Sequence, residues 1–335
     1  MTKGTKAFRI IISVLLALTM LCTMFFAFLF CLFISEELME EEYGIFVAGV
    51  SVTRNNKDDV LGDGTVYYDS YNNVLALNNA TIEHDDTVVY SKIDLHIQLN
   101  GENKLVNTND EYAIGIYAGN YELSKDLALI GDGSLTVEIP NSNGQAAGIS
   151  AANLTVGTDL NVITPDSEAT ANGIVCTSSM VIVNKATVTV NNGASNYSVA
   201  VRVRGNALLE EGTALKVSAN PGSTGVLKGL NVSGDLVLGK NTTLDVSIDD
   251  SATDLGECIR ISGFMDIGIG SSVTANAKNT YAIECFGTIE ANEGATVVAA
   301  SDKNDVDIFC SGAVLNCGAE IDGEIEAIAG SKNLG

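Results

Sequence analysis

The sequence predicts an all-β protein, a right-handed parallel β-helix of about nine or ten coils that follows one N-terminal transmembrane helix. Two features of the chain lead to this fold class. A 25-residue segment without a charged residue runs from Ile10 to Ile34, and a short apolar pattern then recurs about every 27 residues. Val, Ile and Thr recur beside Gly, Asn and Asp throughout this repeat, which is typical of strands joined by tight turns.

The first 42 residues are expected to form a membrane anchor. Residues 1–9 contain Lys3, Lys6 and Arg9, residues 10–34 are apolar, and residues 35–42 contain five glutamates. The apolar run is long enough to cross a bilayer as a helix, and the basic flank predicts a cytoplasmic N-terminus. We therefore expect a single-pass protein of the cell membrane, with an acidic juxtamembrane linker at 35–42 and an extracellular C-terminal domain. A cleaved signal peptide is the alternative, although its apolar region is usually about 7–15 residues long.

The repeat predicts a β-solenoid over residues 43–330, with 331–335 as a C-terminal tail. Each unit starts with an aliphatic residue, a variable residue and a second small or aliphatic residue, and two more alternating segments follow. The leading aliphatic residues are Ile116, Ile149, Ile174, Val201, Leu230, Ile259, Ile283 and Ile308. Alternation turns every second side chain inward, and one coil cannot bury its inner face alone, so coils must stack. Val74–Leu77 and Ile93–Leu99 indicate one or two earlier coils, and a β-sandwich is the alternative fold.

The start of this domain carries a family resemblance. The matching segments are Gly49–Thr53, Asp59–Thr65, Tyr68–Asp69 and Asn73–Ala80. They resemble the N-terminal segment of right-handed parallel β-helix proteins of gut and other Gram-positive bacteria, which are usually labelled carbohydrate-binding domain-containing proteins. The resemblance implies a glycan-binding role at the cell surface, but it supplies no ligand and no binding residue.

The arginines provide the first candidate site. In-register coils place the variable residue of each unit on one outward ladder, so Arg202, Asn231 and Arg260 are expected side by side. Arg204 and Ser233 follow two residues after the first two of them. Guanidinium groups bind carboxylates and phosphates with paired hydrogen bonds, which predicts a site for an anionic glycan. The alternative is that these arginines pair with nearby acids such as Glu210, Glu211 or Glu284.

Aromatic residues provide the second candidate. Tyr117, Phe286 and Phe309 are predicted on the same outward face and form a possible aromatic platform for sugars, while packing under loops is the alternative. Cys176, Cys285 and Cys310 occupy an inward position of the repeat, where thiols act as small core residues. The cysteines and histidines show no metal-ligand spacing, and we expect no cofactor and no metal.

These observations favour a non-catalytic, membrane-anchored protein that binds or adheres to glycans at a Gram-positive cell surface. A structural stalk without a ligand and a polysaccharide lyase or glycoside hydrolase are the alternatives. The acidic pairs Asp58–Asp59, Asp85–Asp86 and Asp249–Asp250 would have to supply carboxylates for an enzyme, but they lie in turn-like contexts. The formal net charge of −24 disfavours nucleic acid as a partner. The last coil is expected to leave an open edge, which a homo-oligomer or another partner would protect.

Overall fold

The computed structural model describes residues 3–37, 41–119, 123–167, 169–193, 195–219, 225–250, 255–302 and 305–333. The chain divides into an N-terminal unit with one helix and a second unit that contains the repeated strands. Helix α1 (Lys3–Glu37) is longer than the predicted span, since it continues beyond residue 34. Its segment Ile12–Leu29 is long and apolar enough to cross a membrane, a property that a signal sequence shares.

The described residues after the helix form 34 strands and no second helix. The N-terminal strands are β1 (Glu42–Val47), β2 (Val50–Thr53), β3 (Val66–Asp69), β4 (Val74–Asn78), β5 (Thr81–His84), β6 (Val89–Ser91), β7 (Leu95–Asn100) and β8 (Glu102–Asn107). The next twelve are β9 (Tyr112–Ala118), β10 (Leu127–Gly131), β11 (Ser134–Glu138), β12 (Gln145–Ala151), β13 (Leu154–Val156), β14 (Asp159–Ile163), β15 (Thr170–Cys176), β16 (Met180–Ile182), β17 (Thr187–Asn192), β18 (Tyr197–Val203), β19 (Ala207–Leu209) and β20 (Ala214–Ala219). The last strands are β21 (Val226–Val232), β22 (Leu236–Leu238), β23 (Thr243–Ile248), β24 (Leu255–Ile261), β25 (Met265–Ile267), β26 (Ser272–Ala277), β27 (Ile283–Cys285), β28 (Ile289–Ala291), β29 (Thr296–Ser301), β30 (Ile308–Cys310), β31 (Val314–Asn316), β32 (Glu320–Asp322), β33 (Ile325–Ala327) and β34 (Ser331–Asn333).

Successive coils stack their strands into three sheets. The first sheet has the order β2-β1-β6-β9-β12-β15-β18-β21-β24-β27-β30-β33, and the second has the order β3-β4-β7-β10-β13-β16-β19-β22-β25-β28-β31-β34. The third sheet runs from β5 through β8, β11, β14, β17, β20, β23, β26 and β29 to β32. Neighbouring coils pair in parallel, as β12 does with β15 and β11 with β14. The prediction of a parallel β-solenoid is therefore confirmed, and the β-sandwich is excluded.

The first coils differ from the repeat. Strand β1 pairs with β6 in the antiparallel sense, and β3 pairs likewise with β4. Strands β4 and β7 contain most of the two segments that were expected to form earlier coils, and they pair in parallel. Strands β2 and β1 occupy the N-terminal edge of the first sheet.

Most of the inward residues form one continuous apolar core, and Ala113, Ile139 and Ala146 form a second, small cluster. Cys176 lies in register with Ala151 and Val203, and Cys285 lies in register with Ile261 and Cys310. All three cysteines are fully buried and unoxidised, so the prediction that they fill the core is confirmed. Burial raises the pKa of the Cys176 thiol to about 12, because the charged thiolate is disfavoured away from water.

Glycines occupy the corner between the first and second sheets because consecutive coils approach closely there. A Cβ atom on Gly287 would lie 2.3 Å from the carbonyl oxygen of Gly263, and one on Gly312 would lie 2.3 Å from that of Gly287. Side chains that follow two further corner glycines, Gly205 and Gly234, link the coils. The backbone N–H of Phe264 donates to Asp235 Oδ1 over 3.0 Å, and the N–H of Asp235 donates to Asn206 Oδ1 over 2.9 Å.

Candidate functional site

The long strands of the first sheet present three outward ladders instead of two. In β12, Gly148 and Ile149 are both buried, and this break in the alternation recurs at the same place in β9, β15, β21 and, with Ala200, in β18. Outward residues therefore occur at the first, third and sixth positions of each seven-residue strand. Ladder one comprises Tyr112, Gln145, Thr170, Tyr197 and Val226; ladder three comprises Ile114, Ala147, Asn172, Lys228 and Glu257, with the fully buried Val199 at the same register position in β18; ladder six comprises Tyr117, Ser150, Val175, Arg202, Asn231 and Arg260.

Ladder six matches the register expected for the arginines. Arg202 lies in register with Asn231 on the neighbouring strand, and Asn231 lies in register with Arg260 on the next. Arg204 and Ser233 lie beyond the ends of their strands and are exposed. The ladder thus brings three of the five predicted ligand residues together, while the other two lie at the sheet corner.

Arg260 belongs to a network of opposite charges. Its Nη1 atom lies 2.6 Å from Glu257 Oε1 and 3.4 Å from Glu284 Oε2. The second oxygen of Glu257 accepts from Lys228 Nζ over 2.7 Å and from Asn231 Nδ2 over 3.0 Å. For Arg260, the alternative of pairing with Glu284 is therefore correct. Burial raises the pKa of Glu284, and Arg260 opposes this shift.

Arg202 has a different environment. Its Nη2 atom donates to the Tyr197 hydroxyl, and its guanidinium carbon lies 5.3 Å from the centre of the Tyr197 ring. Among the described residues, no carboxylate lies within ion-pair distance of Arg202 or Arg204, so neither Glu210 nor Glu211 neutralises them. Arg202 is thus a positioned cation that the described part of the chain leaves without a counter-ion.

The predicted aromatic platform separates into distant parts. Tyr117 stacks on Tyr90 with 5.8 Å between ring centres and an interplanar angle of 6°, and Tyr90 stacks on Phe46 at 5.6 Å and 23°. Phe309 is seven strands away along the ladder, or about 34 Å at a strand spacing of about 4.8 Å, and it stacks on Tyr281. Phe286 lies under the Arg260 guanidinium at 4.8 Å. Of the three predicted residues, only Tyr117 therefore belongs to the row that Phe46 and Tyr90 form.

A groove of about 850 Å³ follows this row along the first sheet. Its lining runs from Phe46, Tyr90 and Tyr117 across Ala147, Ser150, Asn172 and Val175 to Arg202. The short side chains of β12 and β15 form a floor, and the longer ones of β9 and β18 form its two ends. Tyr117 and Arg202 are three strands apart, which corresponds to about 14 Å. We call this part of the groove, from Tyr117 to Arg202, the depression.

Charged residues line mainly the N-terminal end of the groove. His84, Asp86 and Lys92 contribute to that end, and Lys92 Nζ lies 5.0 Å from the centre of the Phe46 ring. Sequence inspection did not single out Phe46, Tyr90 or Lys92 as site residues. The signal for Tyr90 was present, because Val89-Tyr90-Ser91 has the same aliphatic–variable–small pattern as the later coils.

The acidic pairs do not form a common site with the arginines. Asp250 is buried, and its Oδ1 atom accepts from the backbone N–H groups of Lys278 and Asn279 over 2.7 and 2.8 Å, which is a structural role. Of the three pairs, only Asp85–Asp86 contributes a residue to the groove lining. Within the described residues, no group of three or more His, Cys, Asp or Glu side chains could hold a metal ion.

Comparison with protein-family models, with curated proteins and with solved structures finds no match for this chain.

Proposed function

We propose that the groove binds a saccharide chain and that the protein is a non-catalytic glycan-binding or adhesion protein, held at a Gram-positive cell surface by its N-terminal helix. One observation carries this proposal: a row of stacked aromatic rings leads into a depression with a short-residue floor and an arginine at its far end. The whole groove, of which the depression is a part, has a volume of about 850 Å³, and this is within the range of about 300–1,000 Å³ that is usual for small-molecule sites.

The chemistry of the lining suits a sugar. The C–H faces of sugars pack against aromatic side chains, whose bodies are apolar and whose hydroxyl groups are polar. The floor offers both kinds of contact, since Ala147 and Val175 are apolar whereas Ser150 and Asn172 can hydrogen-bond. The Oδ1 atom of Asn172 is buried without a hydrogen-bond partner among the described residues, and rotation of this terminal amide would offer either of its polar atoms to a ligand.

The location also suits a chain-like ligand. The three outward ladders of the first sheet run along the stacking direction of the coils, so a polymer can follow them. Glycan binding at a cell surface requires an exported domain, and α1 provides a segment that is long and apolar enough to anchor one. The resemblance of residues 46–82 to carbohydrate-binding β-helix proteins supports the same function.

The test is a glycan array probed with the full-length chain in detergent micelles, together with the variant Ser150→Tyr. Ser150 lies in register with Tyr117 on the neighbouring strand. A tyrosine at position 150 would therefore extend the Tyr90–Tyr117 row across the floor and fill the depression. Thr155→Tyr is the matched control, because Thr155 lies in the same coil on the half-buried outward side of β13. We expect selective retention of glycans by the wild type and the control, and loss of retention in Ser150→Tyr.

The same experiment separates the proposed function from the alternatives. A folded wild type that retains no glycan would favour a structural stalk. Shortened saccharides released from the array glycans would indicate a lyase or hydrolase. Equal binding by Ser150→Tyr and the wild type would place the site outside the depression.

A further inference from the structure

We infer that the ligand of the depression is an acidic saccharide whose carboxylate is bound by Arg202, and that Arg204 and Arg260 take no part in recognising it. This inference rests on the proposed function, because it names the substrate class and the recognising residue of the same groove. The carboxylate is therefore bound by a single guanidinium at one end of the depression, and not by a strip of arginines along ladder six.

The first argument is that the two ladder arginines differ in what already neutralises them. Arg260 has two carboxylates within 4.0 Å, and Glu257 also binds Lys228. An additional anion near Arg260 would have to compete with these half-buried partners. Arg202 has no such competitor among the described residues, and only its Nη2 atom is hydrogen-bonded to Tyr197. A guanidinium has five N–H donors, so donors remain for a carboxylate.

The second argument is that Tyr197 fixes the guanidinium. The ring lies beneath it at 5.3 Å and the hydroxyl accepts from one of its ends. A stacked and hydrogen-bonded arginine loses less conformational freedom when it binds a ligand. A planar guanidinium held in this way matches a planar carboxylate through two parallel hydrogen bonds.

The third argument is the local charge. The whole chain is strongly acidic, but at physiological ionic strength charges beyond about 8 Å are largely screened. Among the groove lining residues, Asp86 and Lys92 lie at the N-terminal end and Arg202 lies at the other end. No carboxylate belongs to the described lining of the end that Arg202 forms, so the local charge there is positive on a negatively charged protein, which favours an anionic ligand there over one on the neighbouring surface.

The test compares two ligands of the same shape and different charge. Trigalacturonic acid carries carboxylates, and its methyl ester is neutral. Binding to the full-length chain in micelles is measured by calorimetry for the wild type, Arg202→Gln and Arg204→Gln. Arg204→Gln is the matched control, because it makes the same charge change two residues away at an exposed position outside the groove.

We expect the wild type to prefer the acid over its ester by about tenfold, as a charge-assisted hydrogen-bonded pair would give. Arg202→Gln should abolish that preference and leave binding of the ester within about twofold, while Arg204→Gln should behave as the wild type. Lys92→Gln is included to test the other cation of the groove, and it should keep the preference for the acid. Unfolding of each variant is followed by circular dichroism, so that a loss of binding is interpreted only for folded protein.

Several results would overturn the inference while leaving the proposed function intact. One is equal affinity for acid and ester in a wild type that binds neutral glycans. Another is loss of the preference in Arg204→Gln or Lys92→Gln but not in Arg202→Gln. A third is binding of a hexose phosphodiester, titrated as an additional ligand, by a wild type that does not bind trigalacturonic acid. By contrast, a wild type that binds no glycan on the array would contradict the proposed function itself.

Discussion

Replacing Gly148 with alanine is expected to destabilise the solenoid by about 3 kcal/mol. A Cβ atom at this position would lie 2.2 Å from Val162 Cγ1 and 2.7 Å from the carbonyl oxygen of Gly173. Carbon atoms pack at about 3.5–4.0 Å, so the new methyl group would overlap its neighbour by more than 1 Å. The carbonyl belongs to the next coil, where sheet pairing restrains it. Overpacking in a restrained core costs about 1–3 kcal/mol, and two simultaneous overlaps place this change at the upper end.

The assay is guanidinium chloride unfolding of the full-length chain, followed by far-UV circular dichroism. Val162→Ala removes the closer obstacle, so the double variant Gly148→Ala/Val162→Ala should be less destabilised than the sum of the single variants by about 1 kcal/mol. Ala200→Gly is the control, because Ala200 occupies the position equivalent to Gly148 two strands away, in β18. The loss of one methyl group in Ala200→Gly should lower the free energy of unfolding by no more than about 1 kcal/mol.

Two outcomes would refute this reasoning. If Gly148→Ala unfolds at the same denaturant concentration as the wild type, the coil bend has room for a side chain. If the double variant is strictly additive, Val162 is not the obstacle. Either result would remove the explanation for the two adjacent buried residues in the long strands, on which the three outward ladders depend.

Two further predictions concern titratable groups. Burial raises the pKa of Glu284 above its ordinary 4.5, so the stability that its protonated form contributes is lost as the pH rises through the folded-state pKa. Glu284→Gln should therefore gain stability relative to the wild type in thermal unfolding as the pH rises above 4.5, and a difference that is independent of pH would contradict this cause. Burial raises the pKa of Cys176 to about 12, so iodoacetamide at pH 8 should modify it only after denaturation, whereas the partly exposed Cys317 reacts in the folded protein. Mass spectrometry of the peptides measures the modification of both cysteines. Equal rates of modification of the two thiols in the folded protein would argue against the buried position of Cys176.

The sequence was sufficient to predict the coil, because each inward ladder repeats one kind of side chain. Ile116, Ile149 and Ile174 recur at one place, and small residues or thiols recur two positions later. Glycine recurs at the corner between the first and second sheets because every coil has the same steric constraint there. A Cβ atom at Gly287 or Gly312 would meet the backbone of the preceding coil. Such constraints act on every coil, so they appear as a period in the chain.

The ion pair between Glu257 and Arg260 could not be predicted from simple alternation. In a regular strand, residues three apart lie on opposite faces. Two consecutive buried residues, Cys258 and Ile259, shift the phase of β24 and place Glu257 on the same face as Arg260. The aromatic row was missed for a related reason. Phe46 lies opposite Tyr90 in an antiparallel pair, outside the period that organises the later coils.

The same shift in phase explains why the two arginines of ladder six, Arg202 and Arg260, have different partners. In β21 and β24 the third position holds Lys228 and Glu257, so the sixth-position residues Asn231 and Arg260 have a carboxylate within reach. In β18 the third position holds Val199, which is fully buried, and the nearest polar partner of Arg202 is a tyrosine of ladder one. The apolar third position of β18 thus leaves the Arg202 guanidinium without a counter-ion among the described residues, whereas Glu257 in β24 supplies one to Arg260. The residue on ladder three, more than the presence of an arginine on ladder six, therefore decides whether that arginine is paired within the sheet.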